Sequence, residues 1–100
     1  MFDFLKKLIG GEKVDYRQLI ADGAVIIDVR TPSEFKGGHA KGAKNIPLDT
    51  LDANLNKIKA FNKPLVMCCA SGMRSGRATS FLKGKGLTEV YNAGAWVNIR

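Results

Sequence analysis

Two short apolar runs constrain this chain more than any other feature. Ala24-Val25-Ile26-Ile27-Asp28-Val29 and Pro64-Leu65-Val66-Met67-Cys68-Cys69 are almost continuously hydrophobic. A strand with one wet face alternates polar and apolar residues, whereas a continuous run has no wet face. Both runs therefore read as strands buried on both sides of a parallel sheet. Each is followed at once by a helix start. After the first, Thr31-Pro32-Ser33-Glu34 offers a capping threonine, a proline suited to the first helical position and a glutamate that completes a capping box. After the second, a short loop leads into a helical segment expected from Ser75 to Lys83, with Ser75 as its cap.

The rest of the chain fits the same scheme. Tyr16, Leu19 and Ile20 are spaced as one face of a helix closed by Asp22-Gly23. Ala43 to Ile46 reads as a short strand, and Leu48, Leu51, Leu55 and Ile58 recur at helical spacing after it. Thr88 to Tyr91 reads as a last strand, and Asn92-Ala93-Gly94-Ala95-Trp96 as a turn into a terminal segment. Strands alternating with helices give an α/β fold with a parallel sheet covered on both faces. The length of 100 residues suits one modest core and hence one domain. Ligands of such sheets bind beyond the carboxyl ends of the strands. Asp28-Val29-Arg30 and Cys69 with its loop lie at those ends and are expected on one rim.

Charge and hydropathy exclude several classes. No run of about 18 apolar residues is present, so no spanning helix is expected. The start, residues 1–11, reads as a short amphipathic helix ended by Gly10-Gly11, packing on the domain or touching a membrane reversibly, without stable insertion. It lacks the order of a secretory leader. The net charge of +7 is spread along the chain with no basic stripe and no aromatic pattern beside it, so nucleic-acid binding is not expected. Attraction of small anions explains the charge more simply. Cys68 and Cys69 are adjacent and point to opposite faces of a strand, which rules out an unstrained disulfide between them. With His39 as the one histidine, they are too few for a structural zinc site, and no metal is expected. Free thiols and no leader point to a reducing compartment, the cytoplasm.

The segment from Cys69 to Ser75 carries the chemistry. Backbone N–H groups at a helix N-terminus attract anions and stabilise a thiolate. Cys69 sits where the amides of Ala70, Ser71, Gly72, Met73 and Arg74 can converge. Gly72 permits a sharp turn or a positive φ. Arg74 can meet an anion with two parallel hydrogen bonds. Cys69 is the plausible nucleophile, whereas Cys68 reads as a buried packing residue. Cysteine-dependent phosphatases place five residues between cysteine and arginine, and here four intervene. A smaller ring suits a smaller group, such as one terminal sulfur.

These residues resemble the rhodanese-like family. Cys69-Ala-Ser-Gly-Met-Arg-Ser75 is similar to its active-site loop. Ile27-Asp28-Val29-Arg30-Thr31-Pro32-Ser33-Glu34-Phe35 is similar to its strand-to-helix segment. Gly38-His39-Ala40-Lys41-Gly42-Ala43-Lys44-Asn45-Ile46-Pro47 and Val90-Tyr91-Asn92-Ala93-Gly94-Ala95-Trp96 resemble two further family segments. The match spans roughly residues 14 to 98 in the expected order, and the short chain and loop resemble the single-domain thiosulfate sulfurtransferase branch. The resemblance implies one rhodanese-like domain over 1–100, with about five parallel strands flanked by helices and no cofactor. It implies a two-step transfer in which Cys69 takes sulfane sulfur from thiosulfate, persulfide or polysulfide and hands it to cyanide or a thiol. The amides of residues 70 to 74 would stabilise the persulfide anion. Ala70, Ser71 and Met73 are neutral where efficient thiosulfate users often carry an extra cation, which leaves the donor open.

Other readings stay beside this one. The domain could instead be a sulfur carrier that takes persulfide from a protein partner and turns thiosulfate over poorly. A phosphatase or arsenate reductase is disfavoured by the loop length. Asp28 and Arg30 either fix the rim through an ion pair or backbone hydrogen bonds or, for Arg30, supply a charge that draws in the donor. His39 reads as a hydrogen-bonded structural residue and Trp96 as a core or rim anchor.

Overall fold

The computed structural model describes residues 14–100. The helix expected over residues 1–11 lies outside the described residues. Helix α1 (Tyr16–Ala21) is capped by the Asp15 side chain, which accepts from Gln18 N–H. Strand β1 (Val25–Asp28) leads to α2 (Pro32–Lys36) and the two-residue β2 (Lys44–Asn45). A 3₁₀ turn (Leu48–Thr50) and α3 (Leu55–Phe61) precede β3 (Leu65–Cys69). Helix α4 (Met73–Gly84), β4 (Val90–Ala95) and a 3₁₀ turn (Trp96–Asn98) complete the chain.

The sheet runs β2-β1-β3-β4 with every pair parallel. Four strands are present among the described residues, corresponding to the four strand segments read from the sequence and one fewer than the resemblance implied. The two continuous runs are the two central strands, and β3 is buried at every position. Alternation along β1 and β3 divides the core in two. Ile27, Val29, Leu65, Met67 and Cys69 pack with Leu51, Ile58, Ala78 and Leu82 under α3 and α4. Ile26, Val66 and Cys68 pack with Ala40 and Ile99, against Leu19 and Ile20 of α1 and against Trp96.

The capping box on α2 forms as read. Thr31 Oγ1 accepts from Glu34 N–H, the Glu34 carboxylate accepts from Thr31 N–H, and Pro32 opens the helix. Three expected boundaries move. The Leu48–Ile58 periodicity is split between a 3₁₀ turn and α3 rather than held in one helix. Here Thr50 N–H donates to Pro47 O and Leu51 N–H to Leu48 O, the i+3 bonds of a 3₁₀ turn, and the Thr50 hydroxyl and Asn54 Nδ2 add side-chain bonds to Pro47 O and Thr50 O. Strand β4 continues through Asn92-Ala93-Gly94, which the sequence presents as a turn. The register against β3 slips there, from Met67↔Asn92 to Cys68↔Gly94, and Ala93 is the bulged residue. Helix α4 begins at Met73, two residues before the expected start. Gly72 at φ +105° makes the turn into it and stands at the N-cap, so Ser75 is not the cap.

Candidate active site

Strand β3 ends at Cys69, the loop turns at Gly72, and the first turn of α4 follows. This places the Cys69 sulfur at the helix N-terminus, under backbone donors. Gly72 N–H lies 2.9 Å from Cys69 Sγ, Ser75 N–H 3.4 Å and the Ser75 hydroxyl 3.3 Å. Burial pushes the Cys69 thiol up. The Ser75 hydroxyl and the N–H groups of Ser75, Gly72 and Ser71 more than offset it, so the thiol titrates below its ordinary value. Gly72 also cannot bear a side chain without strain: its φ is +105°, and a Cβ would stand 3.2 Å from Gly94 Cα. Close approach of β4 to the loop therefore requires this glycine.

Ser75 has two acceptors and one proton. Its hydroxyl stands 2.6 Å from Asn92 Oδ1 and 3.3 Å from Cys69 Sγ. The Asn92 amide is oriented by Gly94 N–H, which donates to Oδ1, and by Gly72 O, which accepts from Nδ2. Asn92 Oδ1 can only accept, so the hydroxyl donates to it while Cys69 is a thiol. An ionised Cys69 sulfur is a stronger acceptor than the thiol and competes for that proton from 3.3 Å. Ser75→Ala removes that donor to the thiolate and is expected to raise the Cys69 pKa. The check is the rate of alkylation by iodoacetamide against pH: its inflection moves to higher pH in the variant, and an unmoved inflection contradicts this role.

The two cysteines face opposite sides, as the strand period requires. Cys69 belongs to the core under α4, whereas Cys68 belongs to the other core and has no exposed surface. Burial, with the nearby Asp28 charge, pushes the Cys68 thiol up to about 12. Cys68 is therefore inert at neutral pH.

Asp28 and Arg30 do come together at the rim, on the Cys68 side of the sheet. Arg30 Nε and Nη2 donate to the Asp28 carboxylate at 2.8–3.0 Å, and Arg30 N–H donates to it at 3.0 Å. Arg30 also donates to Glu34 O and Gly38 O and lies over the Trp96 ring at 4.8 Å. Its donors are thus directed at the protein itself, tying β1, α2 and the following loop together. His39 stacks on Phe35, with Nδ1 2.7 Å from Phe35 O, in the structural role read from the sequence.

Of the other loop residues, Ala70, Ser71 and Met73 are exposed. Arg74 makes the bidentate contact its chemistry suggests, but with Glu34. Nη1 lies 2.7 Å from Oε1 and Nη2 3.0 Å from Oε2. The Arg74 fork holds the Glu34 carboxyl well down, to about 2, with Thr31 N–H assisting. A depressed carboxylate stabilises the fold above its unfolded value of about 4.3, so this pair is intact at neutral pH and is lost only as pH falls toward about 2. The sequence identifies Glu34 only as a capping residue and Asn92 only as part of a turn. Both act on the loop across long sequence separations, which no local pattern signals.

A model of the rhodanese-like domain family matches residues 12–98. The chain belongs to the rhodanese-like domain family. Over 69 residues it is 49% identical to the uncharacterized protein YqhL of Bacillus subtilis, covering 69% of this chain and 54% of that protein. This rhodanese-like chain therefore matches about half the length of that relative. Over 76 residues it is 32% identical to the thiosulfate sulfurtransferase GlpE of Ectopseudomonas mendocina, covering 76% of this chain and 69% of that one. The structure of the human single-domain sulfurtransferase TSTD1 is similar with a TM-score of 0.71 at 33% identity, over 86% of this chain and 92% of that one.

Proposed function

We propose that this rhodanese-like domain is a sulfurtransferase in which Cys69 carries sulfane sulfur as a persulfide. The observation that supports this most is the set of N–H and O–H donors from Gly72 and Ser75 converging on Cys69 Sγ. Such donors stabilise a thiolate before transfer and a persulfide anion after it. The Cys69 thiolate attacks the outer sulfur of the donor. The donor's S–S bond breaks, and its electron pair leaves on sulfite, from thiosulfate, or on a thiolate, from a persulfide. In the second step cyanide or a thiolate attacks the outer sulfur of the Cys69 persulfide, and the Cys69 thiolate returns as leaving group.

Cys69 has no exposed surface, so the loop must yield by enough to admit the donor's outer sulfur. This favours a single-atom transfer over a phosphoryl group with three equatorial oxygens. No helix among the described residues is long and apolar enough to cross a membrane. Two free thiols suit a reducing compartment, and we place the domain in the cytoplasm. The test is thiocyanate production from cyanide with thiosulfate, glutathione persulfide or inorganic polysulfide as donor. Initial rates at varied donor and cyanide should give the parallel double-reciprocal lines of a two-step exchange. Absence of thiocyanate with all three donors would sink the reading.

A further inference from the structure

The Cys69 loop holds one cation, Arg74, and that cation is already occupied. Both arms of its fork bond the two oxygens of Glu34, at 2.7 and 3.0 Å, with both side chains about a third exposed. Thr31 holds Glu34 as well, since Oε1, the oxygen that meets Arg74 Nη1, also accepts from Thr31 N–H and Thr31 Oγ1 at 3.1 Å. Swinging away would cost the Glu34 half of the α2 capping box, the bond its carboxylate accepts from Thr31 N–H. The second rim arginine, Arg30, is likewise committed to Asp28. Thiosulfate brings two negative charges to a site whose nucleophile carries a third. The loop amides meet that charge with dipoles, but the ion pair beside them adds no net charge. A thiol persulfide brings at most one negative charge on the transferred sulfur, and none when it reacts as RSSH. The attacking thiolate then releases only a thiolate.

We infer that Glu34 is a specificity-determining residue, which by occupying Arg74 biases the site against dianionic thiosulfate and toward thiol persulfides. This rests on the proposed sulfur transfer through Cys69 and names its donor class. Glu34 meets no reacting atom and acts through Arg74. Consistent with that route, the Cys69 charge and the Glu34 contacts all raise the Arg74 pKa.

Glu34→Gln tests the inference, because glutamine serves equally at this capping-box position while the charge and one of the two oxygens that hold Arg74 are removed. The measurement is the second-order rate of sulfur loading on Cys69, followed by intact mass, with thiosulfate and separately with cysteine persulfide. In the parent, cysteine persulfide should load faster than thiosulfate. In Glu34→Gln, thiosulfate loading should rise on the order of tenfold, the scale of one nearby charge, while persulfide loading changes less than about threefold. Glu34→Asp keeps the charge and should leave thiosulfate loading at or below the parent rate. The double variant Glu34→Gln/Arg74→Gln should lose the gain, since the gain comes from freeing Arg74. The inference is overturned if Glu34→Gln loads thiosulfate no faster than the parent, if it slows both donors alike, if the gain survives in the double variant, or if Glu34→Asp gives the same gain. A parent that takes sulfur from neither donor refutes the transfer reading itself. A parent that takes it from both, indifferent to Glu34, refutes only the donor preference.

Discussion

Cys69→Ser is expected to abolish sulfur transfer, lowering turnover by on the order of 10⁴-fold or more, the scale seen when a nucleophile has no substitute. The geometry leaves no substitute here. Cys68 is next in sequence, but it faces the opposite core, has no exposed surface, and its thiol is pushed up to about 12. The loop hydroxyls, Ser71 and Ser75, are no replacement, since an alcohol stays protonated at neutral pH, and that of Ser75 is engaged by Asn92 at 2.6 Å. The serine oxygen placed at position 69 would remain protonated at neutral pH and could not form a persulfide. The fold should survive, because the exchange is small and the donors around the site accept oxygen as readily as sulfur. Thiocyanate formation and circular dichroism together check this. Retained turnover in folded Cys69→Ser would move the chemistry to another residue.

Asp28→Ala should be the most damaging single change to stability, at about 3–5 kcal/mol, the usual cost of breaking a buried ion pair from one side. Asp28 is fully buried and Arg30 is 5% exposed. Without the carboxylate, a buried guanidinium keeps only two carbonyls and the Trp96 face as partners. That loss is a large part of the 5–15 kcal/mol that holds a small domain together. Urea denaturation measures it. Replacing both partners, as in Asp28→Leu/Arg30→Met, should cost less than Asp28→Ala, because no unpaired charge is left behind. The Arg74–Glu34 pair offers the opposite case. It is partly exposed, and breaking it should perturb stability far less than it perturbs donor choice.

Much of this was legible because it is local. Continuous apolar runs specify the two central strands, and the period of two assigns Cys68 and Cys69 to opposite cores. The Thr31-Pro32-Ser33-Glu34 cap is complete within four residues and forms as written. The failures share a cause. Helix α4 starts at Met73 because Gly72 takes a positive φ, and that turn is dictated by the close approach of Gly94 from β4. Strand β4 runs on through Asn92-Ala93-Gly94 because β3 supplies a partner and a bulge absorbs the extra residue. Ser75 lies inside the first helical turn because the chain turns at Gly72, and its hydroxyl is shared between Cys69 and Asn92, 17 residues later. Glu34 reaches Arg74 across 40 residues, so the loop's one cation is paired by a residue that local reading assigns only to a cap. Tertiary contacts set these roles, and residue spacing does not carry them.

The most direct measurement is fragment mass analysis of the protein after brief exposure to cysteine persulfide and removal of excess donor. One added sulfur atom is predicted on Cys69, none on Cys68, and cyanide should remove it while releasing thiocyanate. A protein that gains no sulfur, or gains it on Cys68, would contradict the account.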